Sequence, residues 1–211
     1  QQVQLTELLA DEQARDAILD DESLFRALLE KPACLRVSTH FYFYVLARHV
    51  LRRAGIEDRT VADYVAELLA EYSDIARTRC VPPGQAKPLD YVFEMLGALQ
   101  HADEHTTFLL RAHIGNHTLF LAGVFREHIE HRAEYRGAPG LRYYEEVGRA
   151  NFQMASDHRL ARKYDVAGVF ATLGDQFRTA RLALNDLSDR LLCLSEAGAY
   201  LPLLNDPNAC N

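Results

Sequence analysis

The sequence HADEHTTFLLRAHIGNHTLFLAGVFREHIEHRAEY occupies residues 101–135 and contains six of the nine histidines of the chain but no proline. Between Leu119 and Phe125 it is apolar on nearly every side, and a helix of that kind is buried in the middle of a soluble protein. The stretch therefore predicts a long central helix near residues 103–135, with the other helices of a bundle packed around it. Gly115 and Asn116 mark the place where this helix could bend or break.

The composition is that of an ordinary globular protein. The chain has 211 residues, of which 48% are hydrophobic and 25% charged, which is enough for one substantial core. The net charge is -7, and residues 1–30 hold eight acidic residues against two arginines. This acidity disfavours nucleic acid as a partner. The sequence has no run of 18 apolar residues, so no membrane span is predicted.

The four cysteines, Cys34, Cys80, Cys193 and Cys210, have no short spacing. This pattern predicts neither a thiolate zinc site nor a redox pair, and it is typical of free thiols in a reducing compartment. Together with the Ala-, Arg- and Leu-rich usage, it predicts a bacterial, cytoplasmic protein.

Cap and turn residues divide the remaining chain into helices. The aromatic run at residues 41–45 has strand propensity, but the apolar spacing continues at helical period to Leu51, and Gly55 supplies a helix stop. Ser38 is the expected N-cap of this helix. The predicted fold class is all-α, a single-domain bundle of roughly seven to nine helices.

The segment CVPPGQAKP at residues 80–88 contains three prolines and a glycine, which exclude a helix there. It is the predicted linker within a domain that spans residues 1–211. An N-terminal helical subdomain at residues 1–79 would precede it, and the main bundle at residues 89–198 would follow. The tail at residues 199–211 is expected to be loosely ordered.

Steps of three and four residues place His117, His128 and His131 on one line of the predicted central helix, with Glu127 beside them. Neutral imidazoles and carboxylates at such spacings are suitable ligands for a transition metal. These four residues are the predicted metal site. The sequence has no Glu-x-x-His and no His-Glu-x-x-His, so it supports neither a di-iron bundle nor a zincin peptidase. Histidines that serve only as hydrogen-bonded core residues are the simpler interpretation.

A ligand pocket is predicted where the helix after the turn at residues 136–140 returns along the central helix. Tyr143 and Tyr144 begin that helix and would approach His128 or His131 at the end of the central helix. The residues predicted to line the pocket are Tyr143, Tyr144, His158 and His113. The alternative is that the tyrosine hydroxyls reach water at the edge of the core.

A nucleolytic alternative depends on Arg126 and His131, whose spacing is similar to the Arg-x4–6-His pattern of HEPN-superfamily RNases. In such enzymes the arginine stabilises phosphorane charge and the histidine transfers a proton. Arg111 and His117 have a comparable spacing. Both pairs lack the polar Asn or Asp that usually follows the arginine, and the acidic chain is a poor match for RNA.

The function predicted from the sequence is that of a non-enzymatic helical binding or interaction module, with a homodimer or a protein as its partner. The metal or ligand site and the RNase are the alternatives. One further prediction concerns the basic cluster Arg48, Arg52 and Arg53, which is expected to receive the acidic first helices. A phosphate-bearing ligand is the alternative for this cluster, although no glycine-rich loop supports it.

Overall fold

The computed structural model describes residues 11–30, 37–73 and 91–196, with side chains as far as Leu192. Within these ranges the chain forms eleven α-helices and no strand, which confirms the all-α fold class. The helices are α1 (Glu12–Leu19), α2 (Glu22–Glu30), α3 (Thr39–Arg53), α4 (Arg59–Ser73), α5 (Val92–Ala98), α6 (Glu104–Val124), α7 (Arg126–Arg136), α8 (Leu141–Ser156), α9 (Arg159–Lys163), α10 (Ala167–Asp175) and α11 (Phe177–Glu196). The predicted linker at residues 80–88 and the tail at residues 199–211 lie outside the described residues. None of the helices described is both long enough and apolar enough to cross a bilayer.

Local sequence sets several helix ends. Ser38 caps α3 by accepting a hydrogen bond from the Phe41 backbone N–H at 3.2 Å, so the aromatic run is helical, as the spacing predicted. Asp103 caps α6 in the same way through Thr106, at 2.7 Å. Gly137 ends α7 with a φ of 63°, a left-handed conformation that glycine adopts without a steric penalty.

Helix α6 is the central helix, and it packs against α4, α5, α8 and α11. It runs antiparallel to α8, because Gly115 meets Phe152 while Thr118 lies against Gly148. Both contacts depend on glycine, since a Cβ at Gly115 would lie 2.7 Å from the Phe152 ring. This close approach lets the two helices bury their shared face.

The predicted central helix is too long. Helix α6 continues through Gly115 and ends at Val124, because Phe125 has a φ of -112° and a ψ of 38°. The rest of the stretch forms the separate helix α7, in which Ile129 alone is buried. The reason is the change of composition at this point. After the apolar run, nearly every residue of α7 is charged or polar and cannot enter the core.

One apolar core extends across both parts of the chain. It joins residues of the first helices, such as Phe25 and Val61, to Phe152 on α8 and Leu187 on α11. The helices of the predicted N-terminal subdomain therefore share their core with the main bundle. A second, smaller cluster around Met95 and Ile114 packs α5 onto α6 and α8.

The acidic first helices lie on the basic cluster, as the sequence predicted. Asp20, next to α1, accepts two hydrogen bonds from Arg48, at 2.6 and 3.0 Å, and also pairs with Arg52. Glu22 on α2 pairs with Arg53 at 3.1 Å. The excess negative charge of this end of the chain is therefore partly neutralised within the molecule.

Replacing Gly148 with alanine tests the close packing of α6 and α8. The new Cβ would clash with the Phe177 ring and with Thr118 Oγ1. We expect Gly148→Ala to lower the free energy of unfolding by ~1–3 kcal/mol, measured by urea denaturation. The matched control is Gly97→Ala, where no atom lies within 4 Å of the new Cβ. It should be neutral or stabilising by about 0.5–1 kcal/mol. Equal stabilities of the two variants would contradict this account of the packing.

Candidate functional site

The candidate site is a cluster of Tyr72, His113 and His117 between α4 and α6, which we call the Tyr–His cluster. Tyr72 lies in the last turn of α4, and the two histidines lie one turn apart on α6. A hydrogen bond near the cluster also joins the two helices, since Tyr64 Oη of α4 donates to Asn116 Oδ1 of α6 at 2.9 Å. Burial of Tyr64 raises the pKa of its phenol, so it remains a neutral donor.

The aromatic rings of the cluster pack against each other. The ring centroids of His113 and His117 are 6.0 Å apart, with 26° between the ring planes. The Tyr72 ring lies 6.3 Å from His113 and 6.2 Å from His117. Its hydroxyl oxygen is 3.4 Å from His113 Nδ1, a long hydrogen bond. Phe120 closes the apolar side, with its ring centroid 4.8 Å from that of Tyr72.

Two nitrogen atoms of the cluster have no hydrogen-bond partner in the part of the chain that the structure describes. They are His113 Nε2 and His117 Nδ1, and both are buried. Buried polar atoms are nearly always satisfied in native proteins, because an unsatisfied one costs about 1–3 kcal/mol. Exceptions are therefore candidates for a bound ion or ligand. Each histidine as a whole is only half-buried, so the site lies near the surface.

Burial also sets the protonation state of the two imidazoles. Desolvation lowers the pKa of His113 to about 4. It lowers the pKa of His117 to about 4 as well, with a smaller contribution from the neighbouring His113. Both rings are therefore neutral at pH 7, and neutral imidazole is the form that binds metal ions.

The structure does not bring together the four residues predicted to bind a metal. Glu127, His128 and His131 are exposed on α7, whereas His117 lies in α6 on the other side of the helix break. The His131 ring contacts the Tyr135 ring at a tilt of 42°, with ring centroids 4.5 Å apart. In the described part of the chain, no three His, Cys, Asp or Glu side chains group closely enough to hold a metal. The break at Phe125 is the cause, because it ends the continuous face on which the prediction depended.

The four residues of the predicted ligand pocket lie in three separate places. Tyr143 and Tyr144 contact each other edge to face, at 5.5 Å, and pack against α5. His158 is the N-cap of α9, where its Nδ1 accepts a hydrogen bond from the Leu160 backbone N–H at 3.2 Å. Its ring stacks on Phe108 at 5.3 Å. Of the four, His113 alone belongs to the Tyr–His cluster.

The arginine and histidine pairs of the RNase hypothesis do not converge either. Arg126 and His131 are five residues apart on α7, and five residues turn an α-helix by about 140°. Arg126 lies 3.9 Å from Asp189 of α11, whereas His131 is exposed. Arg111 reaches Asn151 of α8 at 3.3 Å, on a different side of α6 from His117.

The break between α6 and α7 is held by a buried polar network that the sequence did not reveal. Asn185 on α11 donates to the carbonyl oxygens of Ala122 and Gly123, at 2.9 and 2.7 Å, and Ser188 donates to that of Val124 at 3.0 Å. Arg181 supports Asn185 by donating to its side-chain oxygen.

A shallow cleft of about 170 Å³ opens beside this network, with Arg126, His128 and Asp189 in its lining. It is smaller than most sites for organic ligands, which are about 300–1,000 Å³. Its polar groups mainly serve to end α6, so we assign them a structural role.

Sequence reasoning also missed Tyr72, because α4 could not be oriented against α6 from one sequence. The spacing of apolar residues in α4 marks Tyr72 as a core residue. That spacing does not show which helix Tyr72 faces.

Comparisons with known protein families, with curated proteins and with solved structures gave no match to this chain.

The two depressed histidine pKa values predict how stability depends on pH. The unfolded chain takes up protons at these histidines as the pH falls below about 6.5, whereas the folded chain does so only near pH 4. The free energy of unfolding should therefore be highest above pH ~6.5. Between pH ~6.5 and about 4 it should fall by up to ~1.4 kcal/mol per pH unit for each histidine. We expect His113→Gln/His117→Gln to flatten this part of the profile, measured by urea denaturation. His131→Gln, which changes an exposed histidine, should keep the wild-type slope. If the double variant keeps the wild-type slope as well, burial does not suppress protonation of His113 and His117 in the folded chain.

Proposed function

We propose that this protein is a helical-bundle metal-binding protein, and that His113 and His117 bind one transition-metal ion. The observation that carries the proposal is the pair of buried, unpartnered imidazole nitrogens one helical turn apart. A bound ion would satisfy both nitrogens at once. Binding of this kind needs no catalytic group, which agrees with the predicted role of a helical binding module.

Tyr72 has a second role in this proposal. A metal-binding histidine usually donates its other ring N–H to an oxygen atom, which fixes the tautomer and the ring orientation. When His113 Nδ1–H donates to Tyr72 Oη, the lone pair of Nε2 is left free for a metal. The tyrosine therefore orients a ligand without itself binding the ion.

The surroundings favour an ion of low charge and low coordination number. Neither histidine has an ion-pair partner among the described side chains, and desolvation is the largest effect on both pKa values. A divalent cation would place an uncompensated double charge in an apolar site, which is costly. Cu(I) carries one charge and is satisfied by two ligands, and copper accepts imidazole. We therefore propose Cu(I) as the best match.

Titration with Cu(I) tests the site directly. We expect the imidazole nitrogen resonances of His113 and His117 to shift with a single bound ion per chain, measured anaerobically by NMR. Cu(I) is diamagnetic, so the resonances move without broadening. A per-residue signal is needed because thiolates also bind Cu(I) and the chain has four cysteines. His113→Ala and His117→Ala should each weaken binding at the remaining histidine by about tenfold or more.

The matched control is His128→Ala/His131→Ala, which removes two exposed histidines from α7. It should leave the shifts of His113 and His117 unchanged. The proposal fails if those two resonances do not respond to Cu(I), or if the α7 variant is the one that abolishes the response. Parallel titrations with Zn²⁺ and Ni²⁺ test the argument from charge, which predicts weaker binding of both.

A second candidate function is self-association through α7. This eleven-residue helix buries Ile129 alone, and Tyr135 near its end is 68% exposed. It carries three arginines and three glutamates, so its charges are complementary to those of a second copy. Tyrosine and arginine are also the residues that most often carry the binding energy of interfaces. We propose a second copy of this chain as the occupant of this surface.

Light scattering at increasing protein concentration tests this second function. We expect a dimer with a dissociation constant below about 1 mM. Tyr135→Glu should weaken it by about tenfold or more, because it places a charge in the contact. Tyr164→Glu is the control, since Tyr164 is also exposed, at 48%, but lies outside α7. A strictly monomeric chain, or equal effects of the two substitutions, would count against an α7 interface.

A further inference from the structure

Helix α1 is attached to the bundle mainly by charge, and its apolar contact with the core is the partly buried Leu19. None of its residues is buried, and Ile18 is 39% exposed. The adjacent helix α2 differs, because Phe25, Leu28 and Leu29 anchor it in the core. Helix α2 is therefore anchored by buried apolar side chains, whereas α1 depends mainly on ion pairs.

The attachment of α1 consists of carboxylates set among arginines from α3 and α4. Asp20 accepts two hydrogen bonds from Arg48, at 2.6 and 3.0 Å, and also pairs with Arg52. Asp16 lies 3.3 Å from Arg48 and pairs with Arg59 as well. Two carboxylates thus bridge three guanidinium groups. We call Arg48, Arg52 and Arg59 the arginine triad.

The triad combines one buried cation with two accessible ones. Arg48 is 7% exposed, and its remaining polar contact is the Tyr44 hydroxyl, which accepts a hydrogen bond at 3.2 Å. A buried guanidinium needs an anionic partner to offset its desolvation. The side chains of Arg52 and Arg59 are 51% and 46% exposed. The triad therefore lies at the surface, and α1 covers it only in part.

We propose that the arginine triad is a binding site for a small polyphosphate anion, and that α1 is an acidic strap that occupies this site in the free protein. Guanidinium groups bind phosphoryl oxygens in the same bidentate geometry that Arg48 uses for the Asp20 carboxylate. The ligand replaces the ion pairs that α1 loses. No side chain of α1 is fully buried, so the partial apolar contact of Leu19 is the main apolar resistance to the exchange among the described residues.

Calorimetry with inorganic pyrophosphate tests the competition between strap and ligand. At constant ionic strength, we expect Asp16→Asn/Asp20→Asn to bind pyrophosphate at least about tenfold more tightly than the wild type. Adding Arg52→Gln/Arg59→Gln to that variant should abolish the gain. The matched control is Asp186→Asn/Asp189→Asn, which removes two exposed aspartates of α11 and changes the net charge equally. Wild-type affinity in the strap variant, or an equal gain in the control, overturns the proposal.

Hydrogen exchange on the wild-type chain gives a test that needs no substitution, in case the strap variant does not fold. Pyrophosphate should accelerate exchange at the backbone amides of α1 relative to sodium chloride at equal ionic strength. The amides of α2 should keep their protection, because that helix is anchored by apolar side chains. Unchanged exchange in α1, or equal loss of protection in both helices, overturns the strap.

Discussion

Helix α6 runs through the middle of the bundle, and its apolar surface has to be covered on every side. Four other helices provide that cover, and glycines set how closely two of them approach. Gly115 leaves room for the Phe152 ring of α8, and Gly123 leaves room for Leu184 of α11. Packing at this distance excludes water from the shared faces, so any polar atom trapped there needs a partner within the protein. This requirement explains the hydrogen bonds of the polar side chains that lie inside the bundle.

The end of α6 meets the requirement fully. The last carbonyls of a helix have no partner within it, and here they lie in the interior. Asn185 and Ser188 supply the missing donors, and Arg181 is held in turn by Glu145 at 2.6 Å. The chain can therefore leave the core at Phe125 without an unpaired backbone group at these positions. This network explains why α6 stops where the apolar sequence stops.

The fold could be predicted from the sequence further than the site could. Apolar spacing and caps such as Ser38 are local signals, and they identified the helices and the central position of α6. The pairing of the first acidic helices with Arg48 and Arg52 also followed from charge alone. The site depended on which helix faces which, and one sequence does not contain that information. The predicted metal face assumed that α6 and α7 were continuous. A single non-helical residue, Phe125, separated His117 from His128 and His131.

The contrast between the two polar regions of α6 supports a functional role for the Tyr–His cluster. At the α6 end, three side chains of α11 are arranged to satisfy or support every carbonyl that they reach. Half a helix away, two imidazoles each have a buried nitrogen without a partner among the described residues, which is costly for a polar atom. The Tyr64–Asn116 hydrogen bond and the surrounding apolar contacts hold α4 and α6 together alongside the contacts of the two histidines with Tyr72. A bound ion would satisfy both nitrogens, and desolvation already keeps both rings in the neutral form that binds metal ions.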